Sequence, residues 1–395
     1  MIASAQTPIS ICVVASGDWA SFSRVNCHEI AARWTPFGRV CYIEPAPLRA
    51  PRFHDAARLV GRLRGAVRNR SAPRPADVEV VAPAFLPWSP VTPVRAWNVR
   101  AAARAVRRRA AERQWPFCFD VLWFFSESLA GLEAQIPHRL VIYHSVDDYA
   151  GNPGVNRQLV RAQERALLKA ADVVFAASEP LAARLQNRHR NVVVWENVSD
   201  TEALLAGPVA GNGVPRSPRP VAAFVGNLSA HKVDFPLVLD VVRGMSDWEF
   251  VLAGPLGELS DSGRRLMKQP NVTYLGPLER RDLPQALGRA DVALLPLPTG
   301  DLHESSFPMK LLDYFALGLP VVGRRTPPLA RFGDVVFDAR SPSEYRTAME
   351  RARHVRGQEA FQRRAKELAL ENSWSGRIAN LENCVRVMLS DKTAR

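Results

Sequence analysis

Long apolar runs, paired cysteines and acidic residues are all scarce in this 395-residue chain. No apolar run approaches the ~20 residues that a membrane-spanning helix needs. The N-terminus lacks the basic start of a signal peptide, so its apolar run is expected to be a first strand. The five cysteines are scattered and form no CxxC pair. This pattern argues against a zinc or disulfide framework and is typical of reduced thiols in a cytosolic protein.

Lysine is absent, and acidic residues are few, between Arg49 and Arg113. This segment has 15 arginines and 4 acidic residues, a net charge of +11, against +13 for the whole chain. One interpretation is an arginine-rich solvated face without function, and another is a surface for anionic lipid or a polyanionic substrate. The segment has no RNP-like aromatic pattern, zinc finger or clear helix-turn-helix, so no nucleic-acid partner is expected.

Short apolar runs that alternate with helical patterns are abundant. The first half has predicted strands at 9–16, 39–45, 78–83, 119–125 and 139–146, and the alternation restarts after residue 220. Such alternation favours an α/β fold with parallel sheets. The Gly- and Pro-rich stretch 206–219 predicts a linker between domains at 1–205 and 220–370. A final helix at 371–395 is expected to pack back on the first domain.

The stretch SFPMKLLDYFALGLPVV has two unexpected charges on a predicted helix. Pro308 suits a first turn and Gly318 a helix end, so the helix is expected to start at Phe307 or Pro308. Lys310 is unfavourable in the first turn of an isolated helix, and a bound anion would offset this. Asp313 lies three residues on, on the same face. The pair is therefore either a surface ion pair or a site where Lys310 holds a diphosphate and Asp313 accepts from ribose hydroxyls.

This stretch resembles the nucleotide-sugar motif of GT-B glycosyltransferases, P-x-K-x-x-E-Y-x-A-x-G-x-P-V-V. The run FVGNLSAHK resembles the family's G-R-x-x-x-x-K loop, with asparagine in place of the arginine. The resemblance covers roughly residues 9–330. It implies two Rossmann-like domains facing a central cleft, the first binding the acceptor and the second the nucleotide sugar. The donor-binding residues that it implies are Gly226, Asn227, Lys232, Gly254, Ser306, Met309, Lys310 and Asp313.

The chain departs from the family where many retaining members have two glutamates eight positions apart. Those positions are Ser305 and Asp313 here, with Glu304 one residue off, so the stereochemical outcome stays open. The segment YHSVDD is similar to a Y-R-A-S-D segment in the glucuronosyltransferase of xanthan assembly. That similarity implies that Asp147 occupies the position of a catalytic aspartate.

The residues themselves also point to Asp147. An apolar strand ends in the adjacent Asp147 and Asp148, and the carboxyl ends of parallel strands are where ligands bind. Mutual repulsion tends to raise one pKa, which suits a general base, although a helix cap or loop turn is an alternative. Glu127 also ends a predicted strand and is a third catalytic candidate. The acceptor-side candidates are Asp18, Arg24 and His144, the last of which also suits a core position.

No D-x-D motif occurs in the chain, and no G-x-G-x-x-G follows the first strand. The first absence predicts that no metal or other cofactor holds the diphosphate, and the second argues against a dehydrogenase. The sequence therefore predicts a hexosyl- or glucuronosyltransferase of bacterial exopolysaccharide or surface-glycan biosynthesis. Its expected donor is UDP- or GDP-linked, its acceptor is lipid-linked or a polysaccharide, and it lies at the cytoplasmic face of the anionic inner membrane. The alternatives are a nucleotide-sugar epimerase and a non-catalytic membrane adaptor.

Overall fold

The structure, a computed structural model, describes residues 7–21, 24–47, 74–87, 91–152, 154–206 and 218–393. The chain divides into two compact units, of which the first is Met1–Glu196 with Ile378–Arg395 and the second is Asn197–Arg377. Most of the predicted linker, residues 207–217, lies outside the described residues. So do residues 48–73 and 88–90, which belong largely to the arginine-rich segment.

The first unit is built on a seven-stranded parallel sheet of order β3-β2-β1-β4-β5-β6-β7. Its strands are β1 Ile11–Val14, β2 Val40–Ile43, β3 Val78–Val81, β4 Phe119–Phe124, β5 His138–Ser145, β6 Val173–Ala176 and β7 Val192–Val194. Its described helices include α1 Asn26–Arg33, α2 Thr92–Glu112, α3 Arg157–Ala170 and α4 Glu179–Gln186. All four residues of β1 are 0% exposed, which explains its uninterrupted apolar sequence, since a central parallel strand is covered on both faces.

The second unit is built on a six-stranded parallel sheet of order β10-β9-β8-β11-β12-β13. Its strands are β8 Val221–Val225, β9 Glu249–Ala253, β10 Val272–Tyr274, β11 Val292–Leu295, β12 Val321–Gly323 and β13 Val336–Asp338. The helices are α5 Thr201–Leu205, α6 Phe235–Gly244, α7 Asp261–Leu266, α8 Leu283–Leu287, α9 Asp301–Ser305, α10 Lys310–Ala316, α11 Pro342–Arg356 and α12 Glu359–Glu371.

The last helix, α13 Trp374–Thr393, ends within the first unit. The ammonium of Lys392 lies 2.6 Å from a carboxylate oxygen of Asp172. One guanidinium nitrogen of Arg386 donates to the carbonyl oxygen of Thr7 at 2.9 Å. These contacts hold the C-terminal half of α13 on the first unit.

Both sheets reverse their strand order next to the first strand of the unit. In the second unit β8 lies between β9 and β11. The strands β9 and β10 lie on one side of β8, and β11, β12 and β13 lie on the other side. The carboxyl ends of two such strands frame the crevice where doubly wound folds bind ligands. The predicted α/β class with parallel sheets is confirmed. In the described part of the chain no helix has both the length and the apolar character to cross a membrane.

Candidate functional site

Two glycines follow the strand ends at the reversal point of the second sheet. Gly226 has φ +148° and Gly254 has φ +125°, a region that L-residues rarely adopt. A Cβ on Gly254 would lie 2.1 Å from the carbonyl oxygen of Gly226, and one on Gly226 would lie 2.4 Å from Nζ of Lys310. The two glycines therefore let the loops after β8 and β9 come together and leave space for the lysine.

Lys310 is half-buried and has an aromatic ring as its neighbour. Its ammonium lies 4.2 Å from the centroid of the Phe224 ring, and among the described residues no carboxylate forms an ion pair with it. Burial lowers the pKa of Lys310 to about 7, and the charge of Lys232 lowers it too, while Asp313 acts in the opposite direction. A bound anion would reverse this shift by stabilising the charged form.

The helix that carries Lys310 starts later than the sequence predicts. Its first residue is Lys310, not Phe307 or Pro308. The amides of Leu311 and Leu312 donate to the carbonyl oxygens of residues 308 and 309, each at 3.0 Å. These are the three-residue bonds of a tight turn. Proline disfavours helical geometry in the residue before it, so a turn precedes α10 and places Lys310 in its first position.

Basic side chains from three other segments form a group that includes Lys232, whose charge also acts on Lys310. His231 and Lys232 follow β8, His303 lies on α9, and Arg324 follows β12. The Nε2 atom of His303 lies 3.0 Å from the carbonyl oxygen of His231. Burial, followed by the charge of Lys232, lowers the pKa of both histidines. Lys232 itself forms no ion pair with a described carboxylate. This group of side chains therefore has an excess of positive charge that an anion would stabilise.

Asp313 is bound by residues that the sequence did not indicate. Its Oδ1 accepts from the hydroxyl of Ser199 at 2.7 Å and from the guanidinium of Arg280, which also donates to the Ser199 hydroxyl at 2.7 Å. Burial raises the pKa of Asp313, and Arg280 opposes the rise. The ion pair of Asp313 is thus with Arg280 and not with Lys310. No described hydrogen bond uses its Oδ2.

The remaining predicted donor residues lie on the same loops. Asn227 is exposed, and Ser306 and Met309 are half-buried in the segment between α9 and α10. Glu304, at the end of α9, forms an ion pair with Arg324. This pairing neutralises Arg324, while Lys232 and Lys310 form no ion pair with a carboxylate in the part of the chain that the structure describes.

In the first unit the two adjacent aspartates after β5 have different surroundings. One carboxylate oxygen of Asp148 lies 2.5 Å from the guanidinium of Arg161 on α3, and the other is buried without a partner in the described structure. Asp147 is half-buried, and its carbonyl oxygen accepts from the amide of Tyr149 at 3.1 Å. The repulsion expected between the two carboxylates is therefore offset at Asp148 by Arg161.

Glu127 is a buried carboxyl rather than a surface one. It opens the 3-10 turn after β4, is 1% exposed, and accepts a hydrogen bond of 2.6 Å from the hydroxyl of Tyr143. Its second oxygen has no partner among the described residues. Burial raises the pKa of Glu127 to about 7; Glu164 raises it further, while Tyr143 and Arg184 oppose the rise. This side chain can hold a proton near neutral pH.

His144, a predicted acceptor-side residue, belongs to the core in this structure. It is 0% exposed, and its ring centroid lies 4.8 Å from that of Phe125. Burial lowers the pKa of His144 to about 3, so the imidazole is neutral in the physiological range. Its position is explained by the period of β5, which directs alternate side chains to each face of a fully covered sheet.

Asp18 and Arg24 lie on the loop between β1 and α1. The carbonyl oxygen of Asp18 lies 2.9 Å from Nε2 of His28. The guanidinium of Arg24 donates to a carboxylate oxygen of Glu29 at 2.7 Å and stands 5.2 Å from the centroid of Trp19. Arg24 therefore has an internal partner, and the loop is tied to α1 at both residues.

No group of three or more His, Cys, Asp and Glu side chains in the described ranges is arranged to hold a metal ion. At the second-unit site the carboxylates of Glu304 and Asp313 are paired with Arg324 and Arg280. Lys232 and Lys310 are the cations with which no described carboxylate pairs.

Residues 219–353 match the family model described as "Glycosyl transferases group 1". A Bacillus subtilis (strain 168) protein assigned to teichuronic acid biosynthesis as a glycosyltransferase, TuaH, is 23% identical over 230 residues. That match covers 55% of this chain and 58% of the relative, so the chain matches little more than half of the relative's length.

Solved structures match over nearly the whole chain. Sucrose-phosphate synthase of Thermosynechococcus elongatus has a TM-score of 0.71 at 13% identity, covering 97% of this chain and 100% of that one. HepE of Anabaena, determined with UDP and glucose, has a TM-score of 0.62 at 15% identity, covering 96% and 99%. Trehalose 6-phosphate synthase of Burkholderia multivorans has a TM-score of 0.62 at 12% identity, covering 98% and 99%. The chain therefore has the GT-B fold of glycosyltransferases and carries their group 1 domain at residues 219–353.

Proposed function

We propose that the protein transfers a sugar from a UDP- or GDP-linked donor to a lipid-linked or polysaccharide acceptor in bacterial exopolysaccharide or surface-glycan biosynthesis. One observation carries this proposal. Lys232 and Lys310 converge at the strand ends where the second sheet reverses its order, and neither forms an ion pair with a described carboxylate. Two such cations suit the diphosphate of a nucleotide sugar.

The site residues then take distinct roles. Lys310 and Lys232 bind the diphosphate, and Oδ2 of Asp313 accepts from a ribose hydroxyl while Arg280 fixes the carboxylate. Asp147 removes the proton of the acceptor hydroxyl, whose oxygen bonds to the anomeric carbon as the bond to the diphosphate breaks. The nucleoside diphosphate leaves with the bonding electrons, and the lysines stabilise its added charge. In this inverting scheme no metal ion takes part.

The comparisons support the substrate class. HepE was determined with UDP and glucose, and the Bacillus relative belongs by name to teichuronic acid biosynthesis. With a lipid-linked acceptor, the protein would act at the cytoplasmic face of the inner membrane, where anionic lipid attracts a basic surface.

Incubation with a panel of nucleotide sugars tests the proposal. With a polyprenyl-linked acceptor, we expect one donor to be consumed and the sugar to appear on the lipid. Conversion of a nucleotide sugar without acceptor would instead indicate an epimerase. Failure to bind UDP or GDP in calorimetry would contradict any nucleotide-sugar function.

A further inference from the structure

The outward side of α2 exposes a tryptophan in a strongly basic environment. Trp97 is 48% exposed, and the guanidinium of Arg104, two turns further on, lies 5.0 Å from its ring centroid. Buried residues such as Asn98 and Val106 fix α2 in the core. The exposed indole therefore lies on a rigid helix rather than on a loop.

More apolar surface adjoins the start of this helix. Val91, the residue before α2, is 48% exposed, and Leu86 is 40% exposed. The backbone of Leu86 is held beside the helix, because its amide and carbonyl groups both bond to the side-chain amide of Asn98, at 2.8 and 3.0 Å. Exposed aliphatic groups thus lie near the first turns of α2, which also carry Trp97.

The arginines along this helix are not neutralised from within. Arg100, Arg104 and Arg107 are exposed, and none forms an ion pair with a carboxylate in the described ranges. By contrast, Arg109 lies 3.0 Å from the buried carboxylate of Glu79. The charges of Arg100, Arg104 and Arg107 are therefore available to an external anion, whereas Arg109 already has a structural partner.

We propose that the α2 docking face, which consists of Leu86, Val91, Trp97, Arg100, Arg104 and Arg107, binds an anionic phospholipid surface. This inference rests on the proposed transfer to a lipid-linked acceptor and identifies the surface that brings the protein to it. Tryptophan favours the interface between lipid tails and water, and arginines bind lipid phosphates while their stems cover apolar surface. A helix of 21 residues, about 30 Å long, can lie in the plane of the membrane.

The apolar members of the face distinguish lipid from nucleic acid. A nucleic acid would satisfy the arginines, but it offers no apolar phase for Leu86 and Val91. Its bases can stack on an indole, yet in this structure the guanidinium of Arg104 already lies against Trp97. A bilayer surface supplies both the anions and the apolar phase, so it fits all six residues.

Vesicle sedimentation of the full chain tests the docking face. Wild-type protein should bind phosphatidylglycerol-containing vesicles at low salt and release them as salt rises, since the Debye length falls. Because each surface arginine near anionic lipid adds to the attraction, we expect the triple variant Arg100→Gln, Arg104→Gln, Arg107→Gln to bind the vesicles on the order of 100-fold more weakly. Trp97→Ala should also weaken vesicle binding, and the loss that it causes should depend less on salt concentration than the loss in the triple variant.

The matched control carries the same change of charge in the second unit. Arg243→Gln, Arg265→Gln and Arg289→Gln neutralise three exposed arginines and should leave vesicle binding unchanged. Equal losses in the two triple variants would overturn the proposal, because net charge rather than the α2 face would then cause binding. The proposal would also be overturned if the wild-type protein did not bind the anionic vesicles, or if it bound polyuridylate more tightly than the vesicles.

UDP titration of the same proteins separates the two proposals. Both triple variants should bind UDP as the wild type does, with unchanged thermal unfolding. If the wild type binds UDP but not vesicles, the docking face is wrong and the donor site stands. If the wild type binds vesicles through the α2 docking face but binds neither UDP nor GDP, the proposed sugar transfer is contradicted and the lipid-binding surface is supported.

Discussion

The ammonium nitrogen of Lys310 lies 4.2 Å from the centroid of the Phe224 ring. A cation over an aromatic face gains about 0.5–2 kcal/mol, which offsets only part of the cost of removing the ammonium from water. Burial consequently brings the pKa of Lys310 down to about 7. The lysine is thus held in a position where its charge is poorly stabilised until an anion arrives.

We expect Lys310→Ala to lose most of its donor affinity and keep its fold. A charge-assisted contact with phosphate is worth about 1.5–3 kcal/mol, or roughly 10- to 100-fold in binding. Titration with UDP and GDP by calorimetry measures this loss, with the exposed Lys268→Ala as the control. Unchanged affinity in Lys310→Ala would contradict the assignment.

Donor binding should take up a proton above neutral pH. The pKa of Lys310 is about 7 in the free protein, and a bound diphosphate raises it. At pH 8 donor binding therefore protonates the lysine. At pH 6 the lysine of the free protein is already charged, so binding takes up little or no proton there. Calorimetry in buffers of different ionisation enthalpy should therefore show proton uptake that grows from pH 6 to pH 8. Lys310→Arg, which keeps a fixed charge, should lack this growth.

Turnover should persist in EDTA. Lys232 and Lys310 supply the positive charge that a metal ion gives the diphosphate in metal-dependent transferases. Initial rates with and without the chelator provide the measurement. Loss of activity that Mn²⁺ or Mg²⁺ restores would refute the metal-independent scheme.

Asp147→Asn should remove turnover while donor binding survives. The amide keeps the shape of the side chain and loses its basicity, and a general base contributes about 10²–10⁴ in rate. Asp148→Asn is the matched neighbour, and its first effect should be on stability, since Asp148 is paired with Arg161 at 2.5 Å. A fully active Asp147→Asn protein would rule out Asp147 as the base.

Glu127 should make the protein less stable as pH rises. Its pKa is raised from 4.5 to about 7, so between these values the folded state binds more protons than the unfolded state and the free energy of unfolding falls with pH. Glu127→Gln should remove this fall, a difference of about 3 kcal/mol between pH 4.5 and pH 8. Urea unfolding at several pH values measures it, with the exposed Glu371→Gln as the control. Parallel profiles for Glu127→Gln and the wild type would show that folding does not raise the pKa of Glu127.

The sequence by itself determined the alternation of elements and the place of Lys310 in the first turn of a helix. Fully buried parallel strands require continuous apolar runs such as Ile11–Val14, and these are visible without a structure because they are local. The positions of Gly226 and Lys232 were also predictable, since the loop after β8 is a short contiguous segment. The exact start of α10 was not, because helix ends fray and a tighter turn often adjoins the first α-helical residue.

Only the tertiary structure decided the partners of the charged groups. One of the two sequence interpretations paired Asp313 with its neighbour Lys310, whereas the fold gives it Arg280, which is 33 residues away, and Ser199. Likewise, β5 looks the same whether His144 faces a ligand or a core, and its aromatic neighbour Phe125 comes from another strand end. Ion pairs and burial depend on which segments the two sheets bring together. That information lies in long-range packing, which no local pattern records.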